Sequence, residues 1–304
     1  MIIYRNLNIK KNHKNSVIAI GNFDGLHLGH QKVLNQARLK AKKEKLKFGV
    51  ITFEPIPNMF FNKNIQHHRI NLINQKIYYF RKIKLDFLII IKFNKLFSNV
   101  SADNFIKKIL INKIKSRYIF VSRNFRFGNK RLGNINTLKK FEKTFSYKII
   151  ITTPFRKNRK IISSTLIRKS IAKGKVDIVQ KLLGRPWSIE GEVIKGRKRG
   201  RKIGFPTCNI KWCSYALPKL GVYAVKVESK NFKKTGIANI GYRPTFNGKT
   251  LLLEVNIFGI NANLYKKILK VSFIKFIRPE NKFNNINKLK NQIKKDIIVA
   301  KKNV

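Results

Sequence analysis

The sequence predicts an α/β protein of two domains: a doubly wound parallel sheet in the N-terminal part, and a small antiparallel β-barrel with a terminal helix in the C-terminal part. The length of 304 residues accommodates two domains of ordinary size. In the first part, short apolar runs alternate with helical segments, which is typical of a parallel α/β sheet. Beyond Leu183-Gly184-Arg185-Pro186, which ends a helix, β runs separated by turns predominate. We therefore expect domains at residues 1–183 and 184–304.

Four apolar runs of the first domain predict strands. They are residues 16–20, 47–53, 87–91 and 118–121. Helical periodicity is found around residues 74–84 and 103–112, and it also begins at His27, shortly after the first strand. In a doubly wound sheet, ligands bind beyond the carboxyl ends of the strands. The polar motifs of this domain follow those ends, so we expect its functional site there.

The second domain is predicted to be rich in β-structure. Residues 251–258 alternate: the apolar residues Leu251, Leu253, Val255 and Ile257 lie on one face, and Glu254 lies on the other. Residues 221–228 and 271–277 are similar β runs. A last segment predicts a closing helix, because Ile286, Leu289, Ile293 and Ile297 recur at spacings of three and four. These elements favour a small antiparallel barrel.

The composition is strongly basic. The chain has 68 Lys and Arg residues against 13 Asp and Glu residues, which gives a formal net charge of +55. Such a charge alone favours a nucleic-acid partner, because cations neutralise phosphates. The lysines are spread from end to end rather than gathered into one stripe, so we interpret the charge as mostly compositional. We expect no specific nucleic-acid partner.

The sequence does not predict a membrane or secretory segment. No run of about eighteen apolar residues occurs, and the first residues lack an apolar signal core, so we expect a cytoplasmic protein without membrane contact. Cys208 and Cys213 have no Cys or His partner close in sequence. A zinc site or a structural disulfide is therefore not expected.

Residues 21–30, G-N-F-D-G-L-H-L-G-H, leave the first strand and enter a helix. Gly21 and Gly25 break the strand, and His27 and His30 lie three residues apart on one face of the first helical turn. A helix start offers unpaired N–H groups and a positive dipole end, which favour phosphate. The turn therefore predicts a nucleotide site. The alternative is a tight turn whose histidines are solvated or merely cap the helix.

Residues 162–168, I-S-S-T-L-I-R, form a second candidate phosphate site. Ser163, Ser164 and Thr165 place hydroxyl groups at a helix start, and Arg168 follows one turn later. Hydroxyl groups and a guanidinium in this order can clamp the β and γ phosphates of ATP. A Ser or Thr before a helix is usually a plain N-cap when it is seen alone. Together with residues 21–30, here called the histidine turn, this segment is interpreted as a phosphate clamp.

The second domain contains two further candidates. Residues 196–209, G-R-K-R-G-R-K-I-G-F-P-T-C-N, suggest a phosphate-binding loop, because glycines let the backbone approach an anion. A basic, solvated hairpin is the alternative. Glu254 lies in the middle of a strand among apolar residues, where a carboxylate is unfavourable unless it is paired or used. It is either the ion-pair partner of a lysine or a functional residue.

Taken together, these strings resemble a known family. Residues 21–30 are similar to the H-x-G-H signature of the nucleotidylyltransferase superfamily, and their G-N-F-D-G form resembles the bacterial bifunctional riboflavin kinase/FAD synthetase family. The resemblance continues in family order at residues 52–57 (T-F-E-P-I-P), 121–133, 162–168, 196–209, 239–246 (N-I-G-Y-R-P-T-F), 253–255 (L-E-V) and 278–283. It implies an FMN adenylyltransferase domain of nucleotidylyltransferase-like fold at residues 1–183 and a riboflavin kinase domain at residues 184–304.

The activity that the resemblance implies is a transferase with two reactions. The enzyme would phosphorylate riboflavin to FMN and then adenylylate FMN to FAD, using ATP and Mg²⁺ in both steps. Riboflavin, FMN and FAD would be substrates and products. ATP, riboflavin and FMN would be the partners of this chain.

The resemblance also implies roles for single residues. In the first domain, His27 and His30 would stabilise charge on the α-phosphate of ATP. The nucleotide would be bound by Gly21, Phe23, Asp24, Gly25, Asn124, Ser163, Ser164, Thr165 and Arg168. In the second domain, Glu254 would be the general base toward riboflavin. Gly200, Arg201, Gly204 and Pro206 would contact phosphates, Thr207 and Asn209 would hold Mg²⁺, and Arg278 and Glu280 would bind the flavin.

The chain departs from the family pattern at Ser122, Ile161, Asn256 and Gly259, where or near where the family generally has Gly, Arg, His and Asp. Ile161 matters most, because a charge at a phosphate is lost or displaced to Lys160. Two alternatives follow. One is a chain whose kinase works while its adenylyltransferase has decayed. The other is an RNA-binding protein, which the net charge favours but the lack of any resemblance to an RNA-binding platform disfavours.

Overall fold

The computed structural model describes residues 1–157, 160–196, 199–245, 248–260 and 262–304. Backbone contacts divide the chain into two compact units. The first unit comprises Met1–Gln66 and Leu72–Ser163, and the second comprises His67–Asn71 and Ser164–Val304. None of the helices in the described ranges has both the length and the apolar composition that a membrane crossing requires.

The first unit contains the predicted parallel sheet. Its strands are β1 Ile2–Tyr4, β2 Val17–Ile20, β3 Phe48–Glu54, β4 Phe87–Lys92, β5 Tyr118–Ser122 and β6 Lys148–Thr152. Neighbouring strands pair in parallel in the order β1-β4-β3-β2-β5-β6. The four predicted strands are confirmed. The edge strands β1 and β6 were not predicted, because their apolar runs are too short for periodicity to identify.

Helices cover both faces of this sheet. They are α1 Leu28–Lys43, α2 Pro57–Phe61, α3 Ile73–Lys82, α4 Lys95–Ser98, α5 Ala102–Asn104, which continues as the π-helical segment Phe105–Lys113, and α6 Ile135–Glu142. Alternate residues of a strand enter opposite cores. In β2, Val17 and Ala19 pack with α1 and α3, whereas Ile18 and Ile20 pack with the π-helical segment. The doubly wound architecture is therefore confirmed.

A short hairpin and a closed barrel complete the β-structure. The hairpin, β7 Arg156–Lys157 and β8 Lys160–Ile161, follows β6 in the first unit. The barrel lies in the second unit. Its strands are β9 Trp187–Ile194, β10 Cys208–Ile210, β11 Gly221–Glu228, β12 Lys233–Thr245, β13 Gly248–Ile257 and β14 Ile268–Arg278. Its antiparallel strands close in the order β10-β13-β12-β11-β14-β9. The predicted barrel is confirmed, and the alternation along β13 buries Leu253 and Val255.

The helices of the second unit are α7 Ser164–Ala172, α8 Val176–Leu183, α9 Arg199–Lys202 and α10 Ile286–Asn303. Gly184 ends α8 in the left-handed conformation, with φ of 73°. The predicted closing helix is α10. Its residues Ile293, Ile297 and Ala300 pack on the outer face of the barrel against Ala224 and Ile237.

The segment His67–Asn71 packs within the second unit although it is far from the other residues of that unit in sequence. Arg69 forms an isolated parallel bridge with Tyr215. The carbonyl of Ile70 accepts a hydrogen bond of 2.9 Å from Nε1 of the fully buried Trp187. Nη2 of Arg185 donates to Oδ1 of Asn71 at 3.1 Å. These bonds connect the segment to the start of the barrel.

The bond between Trp187 and Ile70 predicts a measurable loss of stability in Trp187→Phe. This substitution keeps an aromatic ring but removes a buried donor, and we expect the free energy of unfolding to fall by about 1–3 kcal/mol. Urea denaturation followed by far-ultraviolet circular dichroism measures the loss. Trp212→Phe is the matched control, because Nε1 of Trp212 is only half-buried and its bond to the Tyr215 carbonyl is 3.4 Å long. Equal losses in both variants would contradict the assignment.

Candidate active sites

The two histidines of residues 21–30 form a stacked pair at the start of α1. His27 is the N-cap residue, and its Nδ1 accepts a hydrogen bond of 3.3 Å from the backbone N–H of His30. The ring centroids lie 3.6 Å apart with the planes 20° from parallel. Because Nδ1 of His27 accepts this bond, the neutral ring carries its proton on Nε2. The pair therefore places two imidazole rings at a helix start, where the backbone N–H groups of the first turn have no acceptor within the helix.

Burial sets the charge state of His30. His27 is buried, and so is Nδ1 of His30, which no donor or acceptor among the described residues reaches. Burial, together with the charges of His27 and Lys76, holds the pKa of His30 well below its ordinary value of 6.5. His30 is thus neutral at physiological pH. The alternative of solvated histidines is wrong, whereas the capping role of His27 is confirmed.

The turn that precedes the histidines is tightly packed. Phe23 and Leu26 have positive φ values of 48° and 38°, and Gly25 has one of 84°. The ring of Phe23 lies in the core, where its edge contacts His30 and Phe80 at centroid distances of 5.3 and 5.8 Å. Asp24 is also buried. Phe23 therefore supports the histidine pair through its side chain.

Two side chains outside the predicted site residues fix this turn. Oγ1 of Thr52 donates to the carbonyl of Asn22 at 3.1 Å, and Nζ of Lys76 donates to the same carbonyl at 3.2 Å. Lys76 is fully buried on α3, which is rare for a lysine. Thr52 belongs to the T-F-E-P-I-P string, whereas no local pattern distinguishes Lys76 from the many other lysines of the chain.

Asn124 lies in an exposed loop after β5. The loop closes on itself through a bond of 2.9 Å from the N–H of Phe125 to the Ser122 carbonyl. The rings of Phe125 and Phe127 stack with centroids 5.4 Å apart. Since β5 pairs directly with β2, this loop and the histidine turn leave the same edge of the sheet from neighbouring strands.

The I-S-S-T-L-I-R segment begins beside the histidine turn. A Cβ on Gly29 would lie 3.1 Å from the His27 ring and 3.5 Å from the Ile162 carbonyl, so the backbone that leads into Ser163 passes close to α1. The predicted helix start is confirmed, since α7 begins at Ser164. Thr165 is exposed, and Arg168 lies one turn into the helix. Burial, together with the positive charges of Arg168 and Arg69, lowers the pKa of His68 to about 4.

Ile161 is 46% exposed at the end of the β7–β8 hairpin. Its direct partner across the hairpin is Arg156, so a guanidinium remains on this short sheet. The side chain of Lys160 lies outside the described residues. Phe246, and the side chains of Arg243, Pro244 and Thr245 in the N-I-G-Y-R-P-T-F string, also lie outside them.

Three polar residues form a row across the outer face of the barrel. Glu254 of β13 lies directly opposite Asn209 of β10 on one side and Asn239 of β12 on the other. Directly paired residues project to the same face with Cβ atoms about 4.5–5.5 Å apart. The neighbours Leu253 and Val255 are buried inside the barrel, so the Asn209–Glu254–Asn239 row faces outward.

The segment of residues 196–209, here called the basic loop, ends at Asn209 and so adjoins this row. A Cβ on Gly196 would overlap the Asn209 amide, and a Cβ on Gly200 would lie 3.1 Å from Oγ1 of Thr207. Glycine at both positions therefore admits the polar side chains. Arg201, Gly204 and Pro206 are exposed around them. Arg197 and Lys198 of the same loop lie outside the described residues.

The departures Asn256 and Gly259 have local explanations. Nδ2 of Asn256 donates a hydrogen bond of 2.6 Å to the carbonyl of Pro206, which connects β13 to the basic loop. Gly259 has φ of 67°, a conformation that favours glycine over a residue with a side chain.

Glu280 and Arg278 lie beyond the other end of the row. Oε1 of Glu280 accepts a hydrogen bond of 3.1 Å from Nδ2 of Asn239, and its carboxylate occupies the space that a Cβ on Gly241 would need. The guanidinium of Arg278 is paired with the buried carboxylate of Asp296 on α10, at 2.8 Å from Nη2 to Oδ2. Arg278 is thus committed to a neighbour, whereas Glu280 is exposed.

Comparison with known proteins gives one consistent picture for both units. A family model described as FAD synthetase matches residues 9–166, and a model described as riboflavin kinase matches residues 183–304. A bifunctional riboflavin kinase/FMN adenylyltransferase of Buchnera aphidicola subsp. Schizaphis graminum is 46% identical over 97% of this chain and 96% of that protein. The protein of the same name from Escherichia coli strain K12 is 34% identical over 94% and 91%.

A solved structure is also similar. The crystal structure described as a macrolide-efflux protein from Streptococcus pneumoniae is 30% identical to this chain, with a TM-score of 0.87, and the match covers 99% of this chain and 98% of that one. The name of that structure differs from the names of the curated relatives. The two chains are similar in sequence and in the path of their backbones.

The depressed pKa of His30 predicts how stability changes with pH. Below pH 6.5, the ordinary pKa of histidine, the unfolded chain takes up a proton that native His30 does not. As the pH is lowered, the free energy of unfolding therefore decreases by about 1.4 kcal/mol per pH unit until the native pKa is reached. His30→Gln removes this contribution. We expect the urea midpoint of the variant to fall less than that of the wild type between about pH 6.5 and pH 5. Parallel pH profiles for the two proteins would contradict the prediction.

Proposed function

The chain belongs to the family of bifunctional riboflavin kinase/FMN adenylyltransferases, and from that premise we propose which residues perform each of its two reactions. The chain phosphorylates riboflavin to FMN with ATP, and it transfers the adenylyl group of a second ATP to FMN, which gives FAD and pyrophosphate. The two matched families on one chain carry this conclusion. The division of these activities at residues 1–183 and 184–304 stays a prediction.

For adenylyl transfer, we assign charge stabilisation to the histidine pair. An oxygen of the FMN phosphate forms a bond to the α-phosphorus of ATP, the bond from that phosphorus to the bridging oxygen breaks, and pyrophosphate leaves. Negative charge develops on the α-phosphate oxygens. The Nε2–H of His27, neutral His30 and the N–H groups at the start of α1 are donors that suit this charge. No covalent enzyme intermediate is required.

We propose that residues of the turn before α1, of the loop after β5 and of the I-S-S-T-L-I-R segment position the nucleotide. The residues with this role are Gly21, Phe23, Asp24, Gly25, Asn124, Ser163, Ser164, Thr165 and Arg168. The shared edge of β2 and β5 supports the role of the turn and of Asn124. The helix start at Ser164, with Arg168 one turn later, supports the role of the hydroxyl groups and the guanidinium.

For the kinase reaction, we propose Glu254 as the general base. The ribityl hydroxyl oxygen of riboflavin forms a bond to the γ-phosphorus of ATP, its proton passes to the Glu254 carboxylate, and ADP leaves with the electrons of the broken bond. The position of Glu254 in the strand register supports this role, because its direct cross-strand neighbours are Asn209 and Asn239, two polar residues on the outer face of the barrel. Gly200, Arg201, Gly204 and Pro206 contact the phosphates in this proposal, and Arg278 and Glu280 contact the flavin.

Thr207 and Asn209 are the proposed ligands of Mg²⁺ in the kinase reaction. Mg²⁺ prefers oxygen donors, retains several waters and is completed by substrate phosphates, so two neutral oxygen-bearing side chains near a carboxylate fit it. The glycines against Thr207 and Asn209 leave room for both side chains. When bound, the ion would screen the negative charge of the phosphates.

Three further expectations accompany this assignment. A cytoplasmic location suits an enzyme of small-molecule cofactors. The net charge of +55 is expected to give weak, unselective attraction to polyanions and no specific nucleic-acid partner. Selective RNA binding at physiological salt, measured by filter binding with competitor RNA, would contradict the last of these.

The two sites predict separable defects. We expect His30→Ala to lower the rate of FAD formation from FMN by about 10²–10³-fold, because a donor at the developing charge is removed, and to leave FMN formation within about twofold. Glu254→Gln is expected to lower FMN formation by about 10²–10⁴-fold and to spare FAD formation. Separate assays with riboflavin and with FMN as substrate measure both effects.

The wild-type chain and the fold of each variant are the controls for this pair. Robust FAD formation by the wild type excludes the decayed adenylyltransferase that Ile161 suggested. Equal damage to both reactions in well-folded variants would show that the assignment of one site to each reaction is wrong.

The proposed Mg²⁺ ligands predict a selective metal defect. Thr207→Ala removes one oxygen donor, and we expect FMN formation to require about tenfold more Mg²⁺ for half-maximal rate while the Mg²⁺ dependence of FAD formation is unchanged. Titration of Mg²⁺ at fixed ATP measures this requirement. Thr250→Ala is the control, because Thr250 is an exposed threonine on β13 that lies outside the strings of the family pattern. An unchanged Mg²⁺ requirement in Thr207→Ala would remove Thr207 from the ligand set.

A further inference from the structure

A carboxylate on the terminal helix is buried in a chain that has few acids. Asp296 of α10 is 2% exposed and is one of 13 acidic residues against 68 basic ones. Its Oδ1 accepts hydrogen bonds from Nε of Arg278 at 3.0 Å and Nε2 of Gln292 at 2.9 Å, and its Oδ2 accepts from Nη2 of Arg278 at 2.8 Å. Both oxygens are used.

Stability alone is a weak reason for such a pair. Removing two charges from water costs much of what their attraction returns, and well-packed apolar residues often replace a buried ion pair without loss. A buried pair of fixed geometry serves better to hold two segments in one register. Here the two segments are α10 and the end of β14, since Arg278 is the last residue of that strand.

The guanidinium of Arg278 also contacts residues that follow it in the chain. Its Nη1 donates to the carbonyl of Pro279 at 2.9 Å, and its guanidinium lies 5.7 Å from the centre of the Phe283 ring. The chain therefore leaves β14 in a direction that is set by a guanidinium already fixed on Asp296. The next residue is Glu280.

Glu280 connects this segment to the Asn209–Glu254–Asn239 row. Its Oε1 accepts the bond from Asn239, and its carboxylate fills the space above Gly241. Asn239 is the direct partner of Glu254 in the register of β12 and β13. A continuous series of contacts therefore runs from Asp296 through Arg278, Pro279 and Glu280 to the flank of Glu254.

We propose that Asp296 is a positioning residue for the riboflavin kinase reaction: through Arg278 it holds Glu280 against Asn239 and thereby sets the riboflavin side of the site. This inference rests on the proposed roles of Glu254 and Glu280. Asp296→Asn keeps the size of the side chain and removes its charge, which frees the Arg278 guanidinium and the segment behind it. Glu254 itself is untouched. Riboflavin affinity is therefore the quantity that changes, and the chemical step changes little.

A double-mutant cycle on the full-length chain tests the proposal. The wild type, Asp296→Asn, Glu280→Gln and the double variant are assayed for FMN formation over a range of riboflavin concentrations at saturating ATP. We expect each single variant to raise KM for riboflavin about tenfold with kcat within about threefold, and the double variant to be no worse than the poorer single variant. FAD formation from FMN by the same proteins is the internal control and is expected to be unchanged.

Glu228→Gln is the matched control variant. It breaks another ion pair of the barrel, between Glu228 and Lys270 at 3.2 Å, and is expected to leave both reactions as in the wild type. If Asp296→Asn does not fold, Asp296→Glu replaces it, since it keeps the charge but its longer side chain cannot keep both oxygens on the Arg278 guanidinium in the same geometry. The same rise in KM is expected.

Three outcomes overturn the inference. If Glu280→Gln raises KM and Asp296→Asn behaves like Glu228→Gln, Asp296 does not position the site, and the proposed function stands. If the two single effects multiply in the double variant, Asp296 acts by a route other than Glu280. If Glu280→Gln is silent, the proposed role of Glu280 in flavin binding fails together with the inference.

Discussion

A polar group that is removed from water needs a partner inside the protein, and this constraint determines how both units are arranged. In the first unit, the buried ammonium of Lys76 and the hydroxyl of Thr52 converge on the carbonyl of Asn22 and fix the turn before the histidines. In the second, the buried carboxylate of Asp296 holds Arg278 at the end of β14. Each of these groups contacts a residue that adjoins a proposed site.

The two units place their functional groups by different means. The parallel sheet gathers loops at the carboxyl ends of its strands, so residues distant in sequence, such as His27 and Asn124, leave neighbouring strands at one edge. The antiparallel barrel uses the register of adjacent strands, which sets Glu254 between Asn209 and Asn239 without any loop. Several loops at one sheet edge can contact one nucleotide together, whereas strand pairing fixes the position of a single carboxylate.

Several features were predictable because their causes are local. The four central strands of the first unit, the alternation along β13 and the stop of α8 at Gly184 follow from apolar periodicity and from the conformation that glycine permits. The resemblance of ordered strings indicated the family, and it supplied the site residues that are proposed above. The strands β1 and β6 were not predictable in this way, because their apolar runs are short. No local pattern indicated that residues 67–71 pack beside Trp187 or that Arg278 pairs with Asp296.

The sequence by itself determined the fold class, the order of the longer strands and helices, and the family, because periodicity, turn residues and motif spacing are properties of neighbouring residues. Only the tertiary structure decided that Lys76 is fully buried, which of 13 acids pairs with Arg278, and that the rings of His27 and His30 stack. Burial and partner choice depend on residues far apart in the chain, and no local pattern records them.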